Sequence, residues 1–130
     1  KSLRKILNFG HTFAHAFETT NNYSKNLNHG EAVLLGIISV SNFAYQNNYL
    51  NKSDYEKIIN HFKKFNLPAS LSKFFSSKKI SKIIFYMQKD KKNYNNNINL
   101  VLLRKIGRVN HNYYFKNTKI HKFLKKELVN

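Results

Sequence analysis

The sequence predicts a mainly α domain carrying a small β-hairpin, and three observations predict it. Apolar residues recur at three- and four-residue steps in several separate segments. Two of those segments open with the polar pattern of a helix cap. One stretch, INLVLLRKIGRVNHNYYF, instead reads as two short strands on either side of Ile106 and Gly107. Hydrophobic residues make up 42% of the 130 positions, which is the composition of a folded chain with a real core. No repeat or interdomain linker stands out, so residues 1–130 are expected to form one domain.

The elements follow in order. Leu3, Ile6, Leu7, Phe13 and Phe17 keep helical spacing, which predicts a helix over 3–20. Gly10 inside it costs up to about 1 kcal/mol relative to alanine, a sign of close packing or of a ligand near the backbone. TTNNYSKNLN (19–28) is a polar loop. Asn28 and Glu31 form a capping-box pattern for a second helix reaching about Tyr45. That helix is apolar on nearly every face until Ser39 and should be buried. Ser53 and Glu56 suggest a second capping box, followed by an amphipathic helix with Tyr55, Ile58, Ile59 and Phe62, ending near Phe65. NLPAS is a turn. Ser77 opens a fourth helix with Ile80, Ile83, Ile84 and Met87 on one face. DKKNYNNN (90–97) is a loop, and 118–128 is a last helix carrying Ile120, Phe123 and Leu124.

Composition excludes some classes. There is no cysteine, so disulfides and thiolate metal sites are ruled out. The longest apolar run, AVLLGII (32–38), is far short of the roughly 20 residues a membrane helix needs, and no secretory signal appears, so a cytoplasmic protein is expected. The chain begins at Lys1 rather than methionine, as a fragment or processed product would. The net charge of +17 invites a nucleic-acid reading. Only three of the basic residues (Arg4, Arg104 and Arg108) are arginine, the side chain that forks onto phosphate and guanine edges. The lysines are scattered and accompanied by many asparagines, as an AT-rich coding sequence would produce. The charge is therefore read as a solvated surface, with no specific nucleic-acid role expected.

LNFGHTFAHAFE (7–18) carries the chemistry. Arg4, Asn8, His11, His15 and Glu18 are spaced four, three, four and three, which places them on one stripe of an α-helix. A solvated face is the ordinary explanation of such a stripe. This one holds no lysine after Lys5 and mixes guanidinium, amide, imidazole and carboxylate, the inventory of a polar cavity. His29 opens the second helix, where the helix dipole favours the neutral imidazole that a divalent metal requires. Glu31 beside it serves either as a cap or in support of a ligand. From spacing alone, His11, His15 and His29 are compatible with a three-histidine zinc site.

LRKILNFGHTFAHAFE followed by LNHGEAVLLGI resembles the signature of the 3-dehydroquinate synthase family. MQKDKK (87–92) and INLVLLRKIG (98–107) follow in the family's order, so the resemblance runs to about Gly107. It implies the helical C-terminal metal domain of an enzyme whose N-terminal α/β NAD-binding domain is absent here. The family converts 3-deoxy-D-arabino-heptulosonate 7-phosphate into 3-dehydroquinate and phosphate in the shikimate pathway. It uses NAD and a divalent metal, zinc or cobalt, by oxidation, phosphate elimination, re-reduction, ring opening and aldol closure. It is usually a homodimer.

Carried over by motif, His11 and His29 match the two metal-binding histidines, and the third ligand is a glutamate upstream of this chain. His15 matches a histidine that meets substrate and handles protons, which displaces the three-histidine reading. Arg4 and Asn8 match substrate-binding residues, as does one lysine of Asp90-Lys91-Lys92, with Lys92 favoured. Ala14 stands where the family often has glycine, a small change expected to be tolerated. The loop between Glu18 and His29 is asparagine-rich. The 130 residues alone are not expected to complete the reaction. Rival readings are a related sugar-phosphate cyclase, a basic nucleic-acid-binding module and a structural zinc-binding domain.

Overall fold

The computed structural model describes residues 9–21, 26–89, 97–105 and 108–128. Five α-helices and one hairpin are ordered along these residues: α1 (His11–Thr20), α2 (His29–Gln46), α3 (Lys52–Lys64), α4 (Ile80–Met87), β1 (Asn97–Lys105), β2 (Arg108–Lys116) and α5 (Asn117–Leu128). The mainly helical architecture with a hairpin is the one the sequence predicts.

Helix α1 starts at His11, not near Leu3. Gly10 has φ +82°, a left-handed conformation that glycine adopts without steric cost, so no helix runs unbroken through it. The cause is packing. A Cβ on Gly10 would lie 2.6 Å from the carbonyl carbon and oxygen of Gly36 on α2. The expected cost of Gly10 is thus explained by helix-to-helix contact. Ala14, 7% exposed, continues the same close seam one turn later.

Helix α2 begins as expected. The Asn28 side chain accepts from the Glu31 backbone N–H at 2.8 Å, and Glu31 accepts from the Asn28 N–H at 3.0 Å. Its burial extends beyond Ser39, taking in Val40, Ser41, Asn42, Phe43 and Ala44. Helix α3 starts two residues earlier than the Ser53–Glu56 pattern suggests. Asn51 is the cap, accepting from the Asp54 N–H at 2.8 Å. Asparagine and serine are both good caps, and Asn51 stands two positions before Ser53. The 77–79 segment is a single 3₁₀ turn leading into α4, whose Ile80, Ile83, Ile84 and Met87 are all buried. A second 3₁₀ turn, Leu71–Lys73, was not foreseen.

The strands are nine residues each rather than short. They pair antiparallel, Ile98 opposite Phe115 and Leu100 opposite Tyr113, with register shifts toward the turn. Ile98, Leu100 and Leu102 alternate into the interior, as a half-buried strand requires.

The core is one apolar cluster joining every helix to the hairpin. Phe43 of α2 sits edge-on to Phe115 of β2 (4.8 Å between centroids) and to Phe123 of α5 (5.4 Å). Phe13 of α1 reaches the same Phe123 at 5.8 Å. Each such pair contributes about 0.5–1.5 kcal/mol beyond its buried area. A polar clasp adds to them. Tyr55 of α3 donates to Asn42 Oδ1 at 2.6 Å, and Asn42 and Gln46 of α2 each donate to the Glu127 carboxylate of α5 at 3.3 Å. Burial, then the Glu127 charge, raise the Tyr55 pKa above its ordinary 10.0. No helix among the described residues is long and apolar enough to cross a membrane.

Candidate metal and substrate site

Two histidines lie on one exposed face of α1. His11 is its first residue and His15 follows one turn later, with ring centroids 6.1 Å apart. Both line a cavity of about 270 Å³ that α1 forms with the end of α4, together with Thr12, Tyr86, Met87 and Lys89. Thr12 also donates to the Asn99 carbonyl at 3.2 Å, tying the start of α1 to β1. Among the described residues the cavity wall carries two imidazoles, an ammonium and two hydroxyls, and no carboxylate. Helix α1 opens onto it without an acidic residue in its first turn. An aqueous anion is the solute this wall favours, through donor side chains and the positive end of the helix dipole.

Lys89 and Tyr86 were missed from sequence. The signal was present, since Lys89 stands inside MQKDKK, but helical spacing pointed to the buried face of α4. The Lys89 ammonium sits 4.6 Å from the Phe85 ring centroid, a cation–π contact.

His29 does not line that cavity. It opens α2, and its Nδ1 donates to both carboxylate oxygens of Glu18 at 3.1 and 3.0 Å. The imidazole is 77% exposed and the Glu18 side chain only 15%. Glu18 thus anchors His29 from within the α1–α2 seam. Glu31 is engaged in the capping box. Arg4 and Asn8, with Lys91 and Lys92, lie outside the described residues, so the five-residue stripe is described only from His11 onward. Among the described residues no group of three or more His, Asp or Glu is placed to hold a metal, so the three-histidine arrangement is not formed. What these residues offer a divalent metal is imidazole at His11 and His29, donors of the right chemistry but short of a full set.

The arrangement of helices and hairpin is a known one. It matches a crystal structure of 2-deoxy-scyllo-inosose synthase complexed with carbaglucose-6-phosphate, NAD+ and Co2+ at a TM-score of 0.71, with 22% identity, over 93% of this chain and 33% of that one. At this identity the likeness is one of fold. Residues 1–93 match the family model described as 3-dehydroquinate synthase C-terminal, and the chain belongs to that family. The 3-dehydroquinate synthase of Pelagibacter ubique (strain HTCC1062) is 52% identical over 97% of this chain and 34% of its own length. That of Thermodesulfovibrio yellowstonii is 37% identical over 95% of this chain and 33% of its own. The chain spans about a third of the length of these curated relatives.

Proposed function

We propose that the chain, residues 1–130, is the metal- and substrate-binding domain of a 3-dehydroquinate synthase, acting on 3-deoxy-D-arabino-heptulosonate 7-phosphate to give 3-dehydroquinate and phosphate. The observation that carries this reading is the cavity lined by His11, His15 and Lys89, on a chain that belongs to the family. A substrate bearing phosphate and carboxylate groups is an anion, and such a wall is suited to receive it.

The roles divide by position. His11 and His29 each stand first on their helix and would hold the metal, zinc or cobalt, with a glutamate from upstream completing the set. The 2-deoxy-scyllo-inosose synthase crystallised with Co2+ and NAD+ supports that pairing of cofactors. When bound, the metal polarises the hydroxyl to be oxidised and NAD takes and returns the hydride. NAD would sit mainly on an α/β domain outside residues 1–130.

His15, one turn beyond His11, faces the cavity and would move a proton at an imidazole nitrogen during elimination and ring opening. Lys89 orients the anion, and Arg4, Asn8 and Lys92 would add contacts to it. The complete enzyme is read as a cytoplasmic homodimer. A related cyclase of the same fold is the rival, and the names of the close relatives favour the synthase. The test is turnover by the full-length protein containing this chain, with NAD and Co2+. Release of phosphate with formation of 3-dehydroquinate is expected. Inertness toward this substrate, with cyclisation of a hexose phosphate instead, would favour the rival.

A further inference from the structure

We propose that Glu18 is a positioning residue for His29, fixing the imidazole so that its Nε2 is presented to the metal. This rests on the reading of His29 as a metal ligand. The argument is one of donors and acceptors. A carboxylate can only accept, so the nitrogen it faces, Nδ1, must carry the hydrogen. Both Glu18 oxygens lie within 3.1 Å of that nitrogen, so the ring is held at one edge by a two-oxygen grip. In the neutral ring the lone pair is then on Nε2, at the opposite edge.

Burial says which partner fixes which. Glu18 is enclosed at 15% exposure near the end of α1, while His29 stands 77% open on the first turn of α2. A carboxylate held in a helix seam is the fixed point, and the exposed ring would otherwise rotate freely about its χ angles. Glu18 is not needed to cap α2, because Asn28 and Glu31 already do so reciprocally. A carboxylate behind a histidine also raises the basicity of the ligating nitrogen, and loss of such a partner typically lowers metal affinity by about 10- to 100-fold.

The experiment measures Co2+ affinity and the visible absorption of bound Co2+ in the full-length protein, for wild type, Glu18→Ala, Glu18→Gln and His29→Ala, with melting temperature recorded alongside. Glu18→Ala is expected to weaken Co2+ binding by about 10- to 100-fold and to shift the absorption bands. Glu18→Gln, which retains an oxygen able to accept from Nδ1, is expected to fall between. Glu18→Ala binding Co2+ within twofold of wild type, with unshifted bands, overturns the proposal, and a lowered melting temperature with that result marks Glu18 as a tether between helices only. His29→Ala separates the two levels. If it loses Co2+ while Glu18→Ala does not, the positioning role alone fails. If His29→Ala binds Co2+ as wild type does, the ligand assignment fails and the positioning role with it.

Discussion

Gly10 and Gly36 meet backbone to backbone, and this contact sets how closely α1 crosses α2. A Cβ added to Gly36 would lie 2.5 Å from the Gly10 carbonyl oxygen, 2.8 Å from the Ala14 Cβ and 2.9 Å from the Ala14 nitrogen. Two of those neighbours are backbone atoms and cannot rotate away. Helix α1 carries His11 and His15 and helix α2 carries His29, so the spacing of the seam also sets how far these histidines lie from one another.

Gly36→Ala should therefore destabilise the protein by about 1–3 kcal/mol, the usual range for overpacking. It should also weaken metal binding, since α1 and α2 must separate. Gly10→Ala adds the cost of a left-handed alanine, about 1–2 kcal/mol. Urea and thermal unfolding of the full-length protein check both. Wild-type stability in Gly36→Ala would mean the seam is looser than described.

Asn28→Ala removes the cap that fixes the first turn of α2, where His29 stands. The expected loss is about 0.5–2 kcal/mol, while Asn28→Gly should cost only a few tenths. Amide hydrogen exchange at Glu31, whose N–H the Asn28 side chain accepts from, should accelerate in the alanine variant.

Tyr55 makes stability fall at high pH. Its folded pKa is raised, by burial first and then by Glu127, so above the ordinary value of 10.0 the unfolded chain releases a proton that the folded chain still holds. Unfolding is then favoured increasingly as pH rises from 10 through the folded pKa, and is unaffected by this group below. Tyr55→Phe should flatten that part of the stability curve relative to wild type, while lowering stability near neutral pH by about 0.5–1.5 kcal/mol through the lost hydrogen bond to Asn42. Unfolding midpoints of the two proteins between pH 7 and 11.5 give the comparison.

The +17 charge should produce only weak, sequence-independent binding to nucleic acid, lost steeply with added salt. Fluorescence anisotropy with duplexes of unrelated sequence at two salt concentrations tests this. A sequence-selective complex that survives moderately high salt would show that the basic surface had been misjudged.

Local signals were read well where the cause was local. The Asn28–Glu31 box, the apolar face of α4 and the hairpin around residues 106–107 depend on neighbours in sequence, and each is present. The start of α1 depends instead on Gly36, 26 positions beyond Gly10, and helical spacing alone extended the helix straight through the glycine. The Glu18–His29 bond joins two helices across an asparagine-rich loop, so neither residue's own surroundings in sequence announced it. Lys89 was overshadowed by the lysines after it in the same motif. The stripe of Arg4, Asn8, His11, His15 and Glu18 remains described only at its last three positions. Those three divide between a cavity (His11 and His15) and a bond to His29 (Glu18), a distinction that periodicity cannot make.

The division of labour between His11 and His15 is the centre of the account, and metal content measured beside turnover in the full-length protein tests it most directly. His11→Ala should lose bound metal and activity together. His15→Ala should keep its metal and slow turnover by about 10²–10⁴-fold, the range for loss of a proton-transfer group. If His15→Ala is stripped of metal as completely as His11→Ala, then His15 is itself a ligand and the assignment of these two imidazoles is contradicted.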